Sequence, residues 1–282
     1  MLNPLVKQAA KYLPDMLYHQ IKYTRVFKKW PNVIQPKTFS EKIIVRNFKP
    51  KSIYTELADK LKVREYIATT IGTKYLIKLY AAGSVLTRPT FNQLPNSFVI
   101  KANHGSGFNR IVYDKNSTDF EELSLLTRQW TSTNFYKTSR EKHYEAIPPY
   151  IMMEQLLLDK GKVPNDIKFH CFNRQGEMHI FIQVDYDRFG VHRRDIFDTQ
   201  WNRTSIRLGL PNNPEPMAAP ENLDEMLLLA KRIAAQFSYL RVDFYEAEGR
   251  IYFGELTFTP GGGLCKMYPQ EVQRQWGDFF VD

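Results

Sequence analysis

Residues 240–263 read LRVDFYEAEGRIYFGELTFTPGGG, and the alternation within them decides how the chain is built. With Ala247, Glu248 and Gly249 as a three-residue hairpin loop, and Gly249 supplying the left-handed residue, Glu246 stands opposite Arg250. Arg241 then faces Glu255, and Asp243 faces Phe253. Period-two alternation gathers Arg241, Asp243, Glu255 and Thr257 on one face and Leu240, Val242, Phe244, Tyr252, Leu256 and Phe258 on the other. One face is core; the other carries chemistry. Asp243 and Glu255 become diagonal neighbours about 7 Å apart between Cβ atoms, a reach over which two carboxylates can clamp hard cations. Mg²⁺ held against phosphate oxygens commonly takes one or two protein carboxylates, so the spacing fits Mg²⁺ beside a nucleotide. The other use of these residues is an Arg241–Glu255 ion pair on an exposed sheet, worth ~0 to 1 kcal/mol. The Pro-Gly-Gly-Gly turn favours the cation site, because such a run costs chain entropy unless backbone must approach something closely.

A second hairpin lies upstream. In FVIKANHGSGFNRIVYDK, residues 98–115, Lys101 precedes a turn containing Gly105 and Gly107, and both flanks are strand-like. No helix follows the glycines, so neither a Walker loop nor a dinucleotide fingerprint fits. A glycine-rich flap covers phosphates from above instead, its N–H groups close to the oxygens, with a lysine on the adjoining strand as a point charge. A flexible surface hairpin with a solvated lysine is the plainer alternative.

Working outward, residues 3–29 read as helical apart from Pro14, and 52–72 as one helix stopping at Gly72, with Glu56, Asp59 and Arg64 as surface ion pairs. A strand is expected around YLIKLY (75–80), charged helix over 117–147, and a short buried strand in PYIMMEQLLL (149–158). DIKFHCFNRQGEMHIFIQVDYD (166–187) reads as a hairpin turning near Gly176, with Lys168, His170 and Phe172 sharing a face. NLDEMLLLAKRIAAQF (222–237) is an amphipathic helix capped by Asn222. This order predicts α+β lobes rather than a doubly wound parallel sheet. With 43% apolar and 24% charged residues among 282, the chain can bury a core without staples. Only Cys171 and Cys265 occur, in no metal-binding spacing, which predicts a reducing cytoplasm. No signal peptide or membrane span is expected. The net charge of +9 is partly concentrated in HQIKYTRVFKKWPNVIQPK (19–37), a basic, aromatic-studded stretch suited to an anionic membrane surface or to a packing helix. A nucleic-acid module would rest on charge and aromatics alone and is not expected. A glycosyltransferase of polysaccharide synthesis is the rival enzyme reading.

The series of lysine strand, glycine flap, IMMEQLLL, DIKFHCF and RVDF…GELTFTPGGG resembles the ATP-grasp superfamily. PKTFSEKI, LADKLKVREYI and KANHGSG look like its bacterial surface-polysaccharide branch, the teichuronopeptide-biosynthesis-like proteins. The likeness covers about residues 36–280. It implies two α+β lobes holding a nucleotide, divided as a helical basic extension (1–50), a substrate-side lobe (51–90), a small lobe with the flap (91–157) and a large lobe with the metal-binding hairpin (158–282). It implies an ATP- and Mg²⁺-dependent ligase joining a carboxylate and an amine through an acyl phosphate, its partners an acidic glycan or sugar nucleotide and an amino acid or other amine. Residue by residue, it places Lys101 and the backbone of His104, Gly105, Ser106 and Gly107 on the phosphates, and Glu154, Gln155 and Leu156 at adenine. Lys168 would reach the γ-phosphate, and Arg241 would steady the acyl phosphate. Asp243 and Glu255 would hold Mg²⁺. Thr257 stands where many members have Asn, which leaves a second metal ion open, and the ribose acid has no firm counterpart beyond Asp159. GVHRRDIFDTQW (190–201) gathers His192, Arg193, Arg194 and Asp195, and Arg193 and Arg194 are expected to meet an acidic substrate. Expected location is the cytoplasm, with peripheral membrane association through the basic stretch.

Overall fold

The computed structural model describes residues 12–186 and 190–281. The expected helix over 3–29 lies partly outside these residues; its described part is α1 (Asp15–Phe27), starting after Pro14. Next comes α2 (Phe39–Phe48), opened by a capping box in which Thr38 and Glu41 satisfy each other's backbone N–H groups.

The single helix expected over 52–72 is two, α3 (Ile53–Ala58) and α4 (Val63–Thr70). Asp59 makes the break. It is buried, its Oδ1 accepts the Leu61 N–H at 2.9 Å, and the same oxygen accepts from Asn103 Nδ2 of the glycine hairpin at 2.9 Å. A side chain that bonds backbone locally competes with the helix ladder. Asp59 is therefore a tie between segments rather than a surface ion pair, and Arg64 likewise reaches inward to Glu154.

The strand expected at 75–80 begins four residues later, as β1 (Leu79–Gly83). Residues 73–75 form a 3₁₀ turn, and Leu76 bridges instead to Phe253. A short helix, α5 (Arg88–Gln93), leads to β2 (Phe98–Ala102) and β3 (Asn109–Val112). The helical stretch expected over 117–147 breaks at Thr133, giving α6 (Phe120–Ser132) and the single turn α7 (Tyr136–Ser139). With β4 (Ile151–Glu154), β1, β2 and β3 make a four-stranded antiparallel sheet of order β1-β4-β2-β3. Its core, containing Phe98, Ile100, Phe91, Leu123 and Trp130, lies against α5 and α6.

The second sheet has order β10-β9-β5-β6-β7, from β5 (Asp166–Arg174), β6 (Glu177–Tyr186), β7 (Arg193–Phe197), β9 (Tyr239–Ala247) and β10 (Arg250–Thr257). Its odd-numbered β5 residues Ile167, Phe169 and Cys171 join Val242, Phe244 and the helix α8 (Leu223–Ala234) in the largest core. Asn222 precedes α8 but does not cap it by side chain; its amide goes to Glu246 and the Gly249 carbonyl. On the opposite face one end is apolar, where Phe172 and Tyr239 pack on Phe39 and on Trp276 of α9 (Val272–Phe279). The other end of that face is polar. A small ladder, β8 (Arg207–Leu208) with β11 (Met267–Tyr268), flanks it.

Candidate active site

The decisive hairpin departs from its expected register twice. Glu248 and Gly249 form a two-residue turn, both left-handed at φ 50° and 69°, so Ala247 rather than Glu246 pairs with Arg250. The ladder then slips at Gly254. A Cβ there would lie 3.0 Å from the Tyr245 ring and 3.1 Å from the Asp243 carbonyl oxygen, so the bulge needs glycine. Downstream, Asp243 stands directly opposite Glu255, not diagonal to it, and Arg241 opposite Thr257. The bulge also turns Tyr252 away from the core of Leu256 and Phe258, into a small cluster with Ile77 and Leu157.

Both acids converge on Arg241. Its Nε and Nη2 donate to the two oxygens of Asp243 at 2.7 and 2.6 Å, and Nη2 reaches Glu255 Oε1 at 2.8 Å. Thr257 Oγ1 donates to the same Glu255 oxygen at 3.1 Å. Lys168, on the neighbouring strand, is 5% exposed and has three carboxylates around its Nζ: Asp166 at 3.1 Å, Asp185 at 3.3 Å and Asp243 at 3.7 Å. Arg194 donates to Asp185 at 2.5 Å, and His192 lies 3.4 Å from it. Burial would raise the Asp185 carboxyl, but Lys168 and Arg194 hold it well below the usual carboxylate range. For Glu255 burial is likewise outweighed, by Lys60, Arg241 and Lys168, and its pKa falls to about 2.

The other wall comes from the four-stranded sheet. Lys101 Nζ sits 2.6 Å from Glu154 Oε2, and Arg64 holds the second oxygen of Glu154 at 3.0 Å. Gly105 has φ 106°, and a Cβ there would meet the Phe135 ring at 2.5 Å. Lys60 Nζ donates to the Gly105 carbonyl at 2.6 Å, anchoring the turn from the α3–α4 break. Burial lowers the Lys60 pKa, partly offset by Glu255. His104 is buried, with Nε2 at 3.0 Å from the Thr133 carbonyl and Nδ1 at 3.3 Å from Asn103, so its side chain fastens the flap.

Two adjoining cavities lie between these walls. One, of about 340 Å³, is lined by Lys60, Lys101, the Gly105–Phe108 turn, Lys168, Arg194, Arg241 and Glu255. The other, of about 750 Å³, is bordered by Ile77, Val99, Ile111, Glu154, Gln155 and Leu156. Lys101, Asn109, Asp166, Asp185 and Tyr245 border both. Lys101, Gly105, Ser106, Gly107, Glu154, Gln155, Leu156, Lys168, Arg194, Arg241 and Glu255 are thus brought together, with Asp243 one contact behind. Arg193 lines neither cavity and donates to the Asn212 carbonyl; Asp195, on β7, is buried and accepts from Asn212 and Asn213. Asp159 accepts the Glu248 N–H at 3.2 Å. Lys60, Asp166, Asp185 and Gln183 were not picked out by sequence. For Asp185 the signal was available: counting back from the Gln175–Gly176 turn puts it opposite Asp166.

A scan against protein families matches residues 41–281 to the model described as TupA-like ATPgrasp. The chain belongs to the TupA-like ATP-grasp family. Its two facing sheets are the α+β ATP-grasp fold. No curated protein sequence matches it. Solved structures with related folds include N5-carboxyaminoimidazole ribonucleotide synthetase with ADP, at TM-score 0.48 and 11% identity over 73% of this chain and 46% of that one. D-alanyl-alanine synthetase A from Vibrio cholerae gives TM-score 0.45 and 12% identity over 73% and 56%. D-alanine–D-alanine ligase from Bacillus anthracis complexed with ATP gives 0.41 and 17% over 73% and 56%. The chain spans about half the length of these proteins, and membership in the ATP-grasp family rests on the sequence match. ATP-grasp ligases use ATP and Mg²⁺. As candidates for a cation delivered with its nucleotide, Asp243 and Glu255 place hard oxygens on one ladder rung, with Arg241 engaging both oxygens of Asp243 and Oε1 of Glu255 in this structure. No described helix is long and apolar enough to cross a membrane.

Proposed function

We propose that this ATP-grasp protein is an ATP- and Mg²⁺-dependent carboxylate–amine ligase acting on an acidic glycan in cell-surface polysaccharide synthesis, in the cytoplasm or at the membrane when the glycan is lipid-borne. One observation carries the reading: four cations from both sheets and from the helix break, Lys60, Lys101, Lys168 and Arg241, converge with Glu255 on a cavity that opens into a second, more apolar one. The larger cavity suits a base, with Glu154, Gln155 and Leu156 at its edge, and the smaller suits the phosphates. Lys101 and the flap backbone from His104 to Gly107 would hold the α- and β-phosphates, and Lys168 the γ-phosphate. Asp243 and Glu255 would hold Mg²⁺, which when bound neutralises phosphate charge, with Thr257 as a weaker oxygen beside them.

A substrate carboxylate attacks the γ-phosphorus and ADP leaves; the amine then attacks the acyl carbon, the C–O bond to phosphate breaks, and an amide forms. Charge accumulates on phosphoryl oxygens in the first step, where prearranged cations in a dry cleft act most strongly. Arg241 is already oriented by Asp243 and would steady the acyl phosphate. Arg194, fixed by Asp185, faces the cavity and would meet the acidic substrate, whereas Arg193 supports the strand from behind.

The test is ADP release with Mg²⁺-ATP across a panel of uronosides and amino acids. Wild type should turn over with at least one pair, Lys101→Ala should bind ATP more weakly, and Glu255→Ala should lose most turnover. ADP release unaffected by Glu255→Ala overturns the reading.

A further inference from the structure

The basic, aromatic stretch of the sequence is not used by the cleft. Its helix α1 ends in a hollow of about 400 Å³ outside the cleft, between α1, β11 and α9. Tyr23 and Phe27, whose rings lie 4.3 Å apart, line it together with Tyr268. Lys28 and Lys29 come from the end of α1, and Lys266 from the segment before β11. These three lysines are exposed and have no carboxylate partner among the described residues, while Arg274, also at the rim, is paired with Asp278. Among the described residues no carboxylate lines the hollow. The carbonyl end of α1 contributes roughly half a negative charge there, which two adjacent lysines exceed.

Cations around a ring face recognise an anionic ring-bearing ligand: the ammonium groups take the carboxylate, and the Tyr268 ring, 40% exposed with the Arg207 guanidinium 4.7 Å from its centroid, takes the apolar face of a sugar. Position adds a second argument. Thr38 and Lys266 line the hollow, while their chain neighbours Phe39 and Cys265 line the cleft cavity, so one thickness of backbone separates the two. A linear ligand long enough to cross it would occupy both.

We propose that the hollow is a second binding site, taking a carboxylate-bearing sugar unit of the same glycan whose reacting unit lies in the cleft. The identity of that glycan rests on the ligase reading; the site itself does not. A flat anionic bilayer is the competing occupant, and the exposed Trp30 (56%) and Ile34 (89%) nearby would favour it. The concavity argues against it, because a planar surface cannot fill a hollow of about 400 Å³.

The probe is oligogalacturonate, short and long, measured by calorimetry against wild type, Lys29→Glu/Lys266→Glu and Tyr268→Ala. The long oligomer should bind wild type, weaken with salt, and lose about tenfold affinity in either variant, while its methyl-esterified form should not bind. ATP affinity should stay unchanged in both variants, which certifies their fold. Equal binding of the long oligomer to wild type and to both variants overturns the proposal. So does capture of anionic glycerophospholipid vesicles or single-stranded RNA through these lysines with no binding of the oligomer. Glu255→Ala separates the two readings: it should abolish turnover yet keep oligomer binding, and a chain that binds the oligomer but never releases ADP sinks the ligase reading alone.

Discussion

On the β2–β3 wall, Lys101 is 18% exposed and has one carboxylate beside it, Glu154, which Arg64 also holds. On the β9–β10 wall, Arg241, Asp243, Glu255, Lys168, Asp166 and Asp185 form an unbroken network in which Asp243 is 2% exposed and Lys168 5%. Removing Lys101 leaves Glu154 with a partner. Removing Asp243 from the other network strips Arg241 of its two-oxygen fork, and among the described residues leaves it Glu255 as its one acid partner. The flap wall can therefore lose Lys101 from its ion pair at little cost, whereas the hairpin wall holds its groups in place through a shared network.

The largest effect expected from this difference is on Asp243→Ala. It removes both oxygens of the Arg241 fork and one of three carboxylates around Lys168, so that among the described residues the buried Arg241 keeps only Glu255 as an acid partner, which costs about 3 kcal/mol. Urea denaturation measures it. A loss below about 1 kcal/mol, the range of an exposed pair, would show that solvent already screens this network and would erase the contrast.

How far the two walls could be read in advance follows the same division. Alternation of apolar and polar residues marked both hairpins, because the pleat imposes a period of two whatever the partner. Register was not legible. Glu248 adopts a left-handed conformation that glycine would be expected to supply, and at the slip a Cβ on Gly254 would crowd Tyr245 and the Asp243 carbonyl, neighbours across the ladder. Lys60 was hidden for a related reason. Its helix is cut by the bond from Asp59 to Asn103, which are 44 residues apart, and without that break Lys60 reads as solvated surface. The extent of the small-lobe sheet was blurred where Leu76 reaches the other sheet before β1 begins.

A second effect tests whether the hairpin wall extends into the Pro-Gly-Gly-Gly turn. Thr259, just before it, donates a hydrogen bond to Glu141. Burial pushes the Glu141 carboxyl from an ordinary 4.5 up to about 7, against the opposing bond from Thr259. The folded state therefore keeps a proton that the unfolded chain gives up. Stability associated with Glu141 is complete below the unfolded pKa and is lost as pH rises through the folded value, by about 3 kcal/mol in all. Glu141→Gln has no such loss, so wild type should weaken relative to this variant between pH 5 and 8. Parallel curves for the two proteins in denaturation across that range would mean Glu141 is ionised in place, with water or a cation beside it.

The smallest expected change in stability, and the sharpest test of the comparison, is Lys101→Met. Methionine retains most of the apolar stem and removes only the charge, and Glu154 keeps Arg64 at 3.0 Å, so unfolding free energy should move by less than about 1 kcal/mol. ATP affinity should fall far more, about tenfold or beyond, since the lost group would make a charge-assisted bond to phosphate. The two numbers must separate. If Lys101→Met instead unfolds the protein as Asp243→Ala does, the ion pair with Glu154 is a structural strut between β2 and β4, and the lysine is not free to leave it for a nucleotide. If stability holds while ATP binds as tightly as before, the phosphates lie nearer Lys60 and Lys168, and the phosphate contact assigned to Lys101 belongs to them.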